Sequence, residues 1–212
     1  MRIAFLGDSL TEGRPGESFL TRLRVLLPGD ELLNHGRAGD TVPALLARLE
    51  NTALPPVDLA VVWIGVNDAF LGDWYLPPIA DLVDGGAAGG ACGPARGGAH
   101  PLRPLYDRVL DLTLAYSPLA VCVPPVLPDP FEQGGVAERV ARIGAMVADA
   151  AAARGAGGRL FDLAPAFAAA AVPGGAGFTI DGVHLSARGA DVVAAAFRDL
   201  IGALRAERRG RG

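Results

Sequence analysis

The chain has 212 residues, half of them hydrophobic and a fifth charged, with a net charge of −4. That is enough chain for one domain with a substantial core, and the acidic balance gives no electrostatic case for nucleic acid or an anionic membrane surface. No apolar stretch reaches the ~18–20 residues that cross a bilayer, and the two cysteines, Cys92 and Cys122, offer neither a metal-ligand spacing nor a disulfide framework.

In chain order, the near-continuous apolar run Arg2 to Leu6, closed by Gly7, predicts a strand buried on both faces. Phe19 to Leu27 has helical spacing and stops at Pro28-Gly29. Glu31 to Asn34 is a second short strand, followed by a polar turn over Gly36 to Gly39. Thr41 to Leu49 predicts a helix, with Thr41 as N-cap and Pro43 in the first turn. Asp58 to Ile64 is the clearest buried strand and ends at Gly65. Then come a helix over Leu102 to Tyr116, a strand over Leu119 to Val123 that buries Cys122, and an Ala-rich helix over Val136 to Arg154. A fifth strand over Arg159 to Asp162 precedes a C-terminal helix over Ala187 to Arg208, capped by Ser186. Five strands alternating with helices predict parallel βαβ units with right-handed crossovers. The expected fold class is α/β: a three-layer α/β/α sandwich on a five-stranded parallel sheet of flavodoxin-like order, one domain over residues 1–212. In such a sheet the ligand site lies beyond the carboxyl ends of the strands.

The segment from Asp84 to Pro101 is almost entirely Gly, Ala and Pro, with Arg96 and His100 its only charged or titratable side chains after Asp84. It cannot bury enough apolar surface to order itself and is expected to be a flexible insertion, with a flap over the site as the alternative. Before it, Phe70, Leu71 and Trp74 either belong to the core or line a pocket for an acyl group.

The chemistry sits at the ends of predicted elements. Ser9, in Gly7-Asp8-Ser9-Leu10, follows the first strand, where it is either a helix cap or a nucleophile. Asp181 and His184 stand three residues apart, close enough for the carboxylate to hold one ring nitrogen while the other takes a proton from serine. Gly39 and Asn67 each follow a predicted strand. A glycine N–H, an asparagine NH₂ and the Ser9 N–H could together hold the negative oxygen of a tetrahedral intermediate. Asp8 and Asp68 flank these residues, and such acids more often hold loops than do chemistry; Asp8 is also expected to contact substrate. His35 ends a predicted strand and is a minor candidate, and a metal set of His35, Asp40, Asp181 and His184 matches no ligand spacing.

These blocks resemble the SGNH hydrolases, also called GDSL esterases/lipases. The family's four positions are matched by Ser9 in Gly7-Asp8-Ser9-Leu10, Gly39 in the segment 36–41, Asn67 in Gly65-Val66-Asn67-Asp68 and His184 in Asp181-Gly182-Val183-His184. The blocks occur in order across nearly the whole chain. The resemblance implies the fold already expected, Ser9 as nucleophile, His184 as base, Asp181 as its partner, and an oxyanion hole of Ser9, Gly39 and Asn67. Thr11 stands where the Gly-x-Ser-x-Gly elbow of α/β-hydrolases needs glycine, which disfavours that fold.

The expected protein is therefore a serine esterase without cofactor or metal, acting on a small-molecule carboxylic ester or thioester. A short- to medium-chain acyl or lysophospholipid substrate leads, and an acetylated sugar or metabolite is the rival. Only about eight residues precede Ser9, too few for a cleavable leader, so a cytoplasmic location is expected. A non-catalytic flavodoxin-like module cradling a phosphate is the alternative class, but it would need no Asp–His pair. The spacing leaves oligomeric state open.

Overall fold

The computed structural model describes residues 1–72, 100–131 and 134–210. The core is a parallel sheet of β1 (Arg2–Gly7), β2 (Glu31–Gly36), β3 (Leu59–Trp63), β4 (Ala120–Val123) and β5 (Gly158–Leu160), in the spatial order β2-β1-β3-β4-β5. This is the flavodoxin-like order expected from the alternation of strands and helices. The helices are α1 (Ser9–Glu12), α2 (Phe19–Leu26), α3 (Val42–Asn51), α4 (Val66–Leu71), α5 (Arg103–Leu114), α6 (Val136–Ala153), α7 (Ala164–Ala170) and α8 (Ala187–Arg209).

The three central strands β1, β3 and β4 are apolar on both faces because both faces are covered. Ile3, Phe5, Val61, Trp63 and Val121 point to one side, where they meet Phe19 and Leu23 of α2 and Val193, Phe197 and Ile201 of α8. The alternating residues Leu6, Val62 and Cys122 point to the other, against Leu45 of α3, Tyr106 and Val109 of α5, and Ile143 and Val147 of α6. A period of two along the strand thus divides the core into two layers of side chains.

Most predicted elements stand within a residue or two of their expected ends, and the caps at Thr41 and Ser186 form, their side chains accepting from Ala44 and Gly189 N–H. Three differences have physical reasons. The short helices α1, α4 and α7 are too brief to show a helical period. Strand β2 continues to Gly36, which pairs with Gly7, instead of turning after Asn34. The edge strand β5 bonds only to β4, over Gly158–Leu160, and so starts and ends earlier than the apolar pattern suggests. Trp74, Cys92 and nearly all of the Gly/Ala/Pro-rich segment 84–101 lie outside the described residues. His100 is described, and its Nδ1 accepts from the Leu102 N–H at 3.2 Å. Among the described residues no helix is long and apolar enough to cross a membrane.

The chain runs from β1 outward to β2 and then back across to β3, which makes the gap between β1 and β3 the switch point of the sheet. The segments that follow these three neighbouring strands carry Ser9, Gly39 and Asn67.

Candidate active site

Ser9 is positioned by Asp8. The Asp8 side chain caps α1 by accepting from Leu10 N–H at 3.0 Å, so the cap is the aspartate and Ser9 is the first helical residue. At that position its own N–H has no intrahelical acceptor. Asp8 is 1% exposed, and burial drives its carboxyl from 3.8 up to about 7. Its carboxylate is thus enclosed by protein, in contrast to the substrate contact expected of it.

His184 approaches from the opposite end of the chain. Its Nε2 lies 3.1 Å from Ser9 Oγ, and its Nδ1 lies 2.6 Å from Asp181 Oδ2. The other Asp181 oxygen accepts the backbone N–H groups of Val183 (3.0 Å) and His184 (2.8 Å), which locks the carboxylate to its own turn. Burial works against charge on Asp181, but the hydrogen bonds from His184 and the N–H groups of His184 and Val183 hold its carboxyl below the ordinary carboxylate range. Ser9, His184 and Asp181 therefore form one continuous hydrogen-bonded line.

A hydrogen bond ties Asn67 to the turn that carries Gly39. Asn67 Nδ2 donates to the Asp40 carbonyl at 2.8 Å, which uses one of its two N–H groups and leaves the second. Gly39 adopts φ +79°, a conformation that favours glycine, and is exposed. Asp68 fastens the same junction: the N–H of Val42 donates to both carboxylate oxygens, at 3.2 and 3.1 Å, joining the first turn of α3 to α4. Asp68 thus holds a loop, as its neighbourhood in the sequence suggested.

Arg48 is a residue that sequence reasoning passed over. From α3 its Nε donates to Asp40 at 2.6 Å, and its Nη2 donates to the carbonyls of His35 (3.0 Å) and Gly7 (3.5 Å). One guanidinium thus ties the Gly39–Asp40 loop to the ends of β1 and β2. Its partner Gly7 is 41 residues away in the chain, so no local pattern could announce it. His35, the minor candidate, lies on β2 opposite Leu6. Burial and the neighbouring Arg48 charge hold its imidazole below its ordinary range.

Phe70 and Phe131 meet edge to face, with ring centroids 5.1 Å apart. A Cβ on Gly182 would come within 2.6 Å of Phe131, so this ring lies directly against the Asp181–His184 turn. The aromatic pair connects the Asn67 helix to the histidine loop, and Leu71 and Ile180 stand exposed on the segments it joins. Phe131 was not singled out in the sequence, where it sits in a proline-rich stretch without periodicity.

Residues 5–192 match the profile of the GDSL-like lipase/acylhydrolase family. No curated protein matches the chain in sequence. Among solved structures, it is similar to a member of the lipolytic protein G-D-S-L family from Veillonella parvula, with a TM-score of 0.67 and 17% identity over 92% of this chain and 95% of that one. It is also similar to Axe2, an acetylxylan esterase from Geobacillus stearothermophilus, with a TM-score of 0.67 and 21% identity over 95% and 94% of the two chains. A third similar structure is the acetyl xylan esterase AlAXEase, with a TM-score of 0.67 and 19% identity over 95% and 100%.

Proposed function

Because the chain belongs to the GDSL-like lipase/acylhydrolase family and is an ester-hydrolysing enzyme, we propose that Ser9 is its nucleophile, His184 its general base and acid, Asp181 the partner of that histidine, and Gly39, Asn67 and the Ser9 N–H its oxyanion hole. The observation that carries this reading is the line Ser9 Oγ–His184 Nε2–Asp181, with its two contacts of 3.1 and 2.6 Å.

With Nδ1–H directed at Asp181, Nε2 presents its lone pair to the serine hydroxyl. Ser9 Oγ attacks the acyl carbonyl carbon while its proton passes to Nε2, and the imidazolium so formed is stabilised by the Asp181 carboxylate. The carbonyl oxygen becomes an anion and meets the N–H groups of Ser9 and Gly39 and the second Asn67 N–H. Each such donor is worth on the order of 3 kcal/mol of barrier in a comparable site. Collapse breaks the bond to the leaving alcohol, which takes the proton from His184 and departs. Water then attacks the acyl-serine and gives a proton to the same nitrogen; collapse breaks the bond to Ser9 Oγ, which takes that proton back from His184 as the acid leaves.

For the acyl group, the Phe70–Phe131 pair beside the Asp181–His184 turn supports a short- to medium-chain carboxylic ester. An O-acetylated carbohydrate is the second reading, favoured by the similarity to two acetyl xylan esterases over nearly the full chain. The decisive test of the reaction is fluorophosphonate labelling: the wild-type protein should form an adduct and Ser9→Ala should not. An adduct that survives in Ser9→Ala would refute the assignment of the nucleophile. A series of p-nitrophenyl esters of rising acyl length, run beside acetylated xylo-oligosaccharides, separates the two substrate readings. The first expects kcat/KM to be higher on the longer acyl esters than on any acetyl donor.

A further inference from the structure

The turn that carries Asp181 and His184 is closed on itself and held from outside. Thr179 and Leu185 form an isolated antiparallel bridge, Ile180 N–H donates to the His184 carbonyl at 2.8 Å, and Ser186 N–H donates to the Phe178 carbonyl at 2.9 Å. The outside support comes from Asp129, delivered by the segment after β4, where Pro124, Pro125 and Pro128 restrict the backbone. Its Oδ1 accepts from Phe178 N–H at 3.1 Å. Its Oδ2 accepts from Thr179 N–H at 2.7 Å and from the Thr179 hydroxyl at 2.5 Å.

The Thr179 hydroxyl is used twice. Because its proton goes to Asp129, a lone pair is left for the Gly182 N–H, which donates to it at 3.1 Å. Gly182 is the residue after Asp181 and adopts φ +92°. The carboxylate of Asp129 is thereby connected through one hydroxyl to the backbone that aims Asp181 at His184. Burial works against charge on Asp129, but the Thr179 hydroxyl, the N–H groups of Phe178 and Thr179, and the nearby Arg188 hold its carboxyl below the ordinary range. It therefore stays an acceptor of all three donors at neutral pH. There is little room for change here, since a Cβ on Gly177 would come within 3.0 Å of Asp129 Oδ2.

We propose that Asp129 and Thr179 are positioning residues for the reaction: through the Thr179–Gly182 contact they set the direction of the Asp181 carboxylate and hence of the His184 ring. This rests on the reading of Ser9, His184 and Asp181 given above. Small displacements at a reacting centre are expensive, on the order of a hundredfold in rate for about 1 Å.

Thr179→Val keeps the shape and removes the hydroxyl, Thr179→Ser keeps the hydroxyl, and Asp129→Asn sets an NH₂ against backbone donors. On a p-nitrophenyl ester, Thr179→Val and Asp129→Asn should each lower kcat about ten- to a hundredfold, with KM within about twofold of wild type. Thr179→Ser should recover most of the rate that Thr179→Val loses. The combined Asp129→Asn/Thr179→Val variant should lose less than the product of the two single losses, because the variants share the Thr179 hydroxyl contact. In proton NMR spectra, the downfield imidazole N–H signal of the His184–Asp181 pair should weaken or move upfield in Thr179→Val and return in Thr179→Ser. A folded Thr179→Val protein with wild-type kcat and an unshifted signal, or with a loss confined to KM, would overturn the proposal. Should Asp129→Asn not fold, the Thr179→Val and Thr179→Ser pair decides alone. Ser9→Ala serves as the control: full activity there removes the underlying active-site reading and this proposal with it. An inactive Ser9→Ala beside an unaffected Thr179→Val removes only the positioning role.

Discussion

At Asp8, burial and charge conflict. Burial raises its carboxyl to about 7; the Leu10 N–H works the other way, and the charges of Asp68 and Asp40 add to the rise. A native value above the unfolded one means that the folded chain holds this proton more tightly. The stability it contributes is complete below pH 3.8 and is lost progressively as pH rises to about 7. Asp8→Asn keeps an oxygen for Leu10 N–H and has no proton to lose. Its stability relative to wild type, measured by urea unfolding, should therefore be more favourable at about pH 8 than at about pH 5; a difference independent of pH would count against a protonated Asp8. Asn67→Ala removes a proposed oxyanion donor and should lower kcat about a hundred- to a thousandfold. It should change KM little, which steady-state kinetics on a p-nitrophenyl ester would check. Ser9, Asp181, His184, Gly39 and Asn67 were visible as residue types at the ends of apolar runs. The burial of Asp8 and the contacts of Arg48 were not, because burial and long-range pairing leave no local signature.

At the scale of elements, α1 explains why β2 ends in glycine, and α1 together with β3 explains why β1 does. A Cβ on Gly36 would lie 2.1 Å from Glu12 N, and one on Gly7 would lie 2.2 Å from Trp63 O and 2.3 Å from Thr11 Oγ1. The four-residue helix crosses directly over the ends of β1 and β2, and only residues without a side chain let it approach. The contact at Gly36 is with the backbone of α1, which cannot turn aside, whereas Gly7 meets the Thr11 side chain of α1 and the backbone of β3. Gly36→Ala should therefore destabilise the protein by roughly 3 kcal/mol or more, in the range where severe point mutations fall. It should also lower kcat by displacing the helix that begins with Ser9. Denaturant unfolding and turnover of the folded fraction test both parts; a shift within about 0.5 kcal/mol would contradict the close approach. The longer helices were legible because their apolar residues recur with a helical period, and Thr41 and Ser186 marked two of their starts. The helices α1, α4 and α7 were not, because four, six and seven residues are too few to establish one. Yet α1 and α4 are the helices that present Ser9 and Asn67.

For the whole molecule, one aromatic cluster joins the C-terminal helix to the sheet beneath the site. The Phe197 ring centroid lies 5.4 Å from Phe5, 5.3 Å from Phe19 and 5.4 Å from Phe161. Phe197→Ala should cost about 3–5 kcal/mol of stability while leaving kcat per folded molecule near wild type, as unfolding curves paired with active-site titration would show. A large loss of kcat in the fully folded variant would mean that this cluster also shapes the site. By itself the sequence determined the class of the fold, the order of its strands and helices, and the residue types available for acyl transfer. These are written in local periodicity, in glycine and proline stops, and in motifs a few residues long. Only the tertiary structure decided that Ser9 meets His184 across 175 positions of chain, that Asp8 is enclosed, and that Arg48 and Asp129 hold the loops. The reason is geometric: a parallel sheet gathers its loops at one edge, and which distant side chains then touch depends on strand order and register.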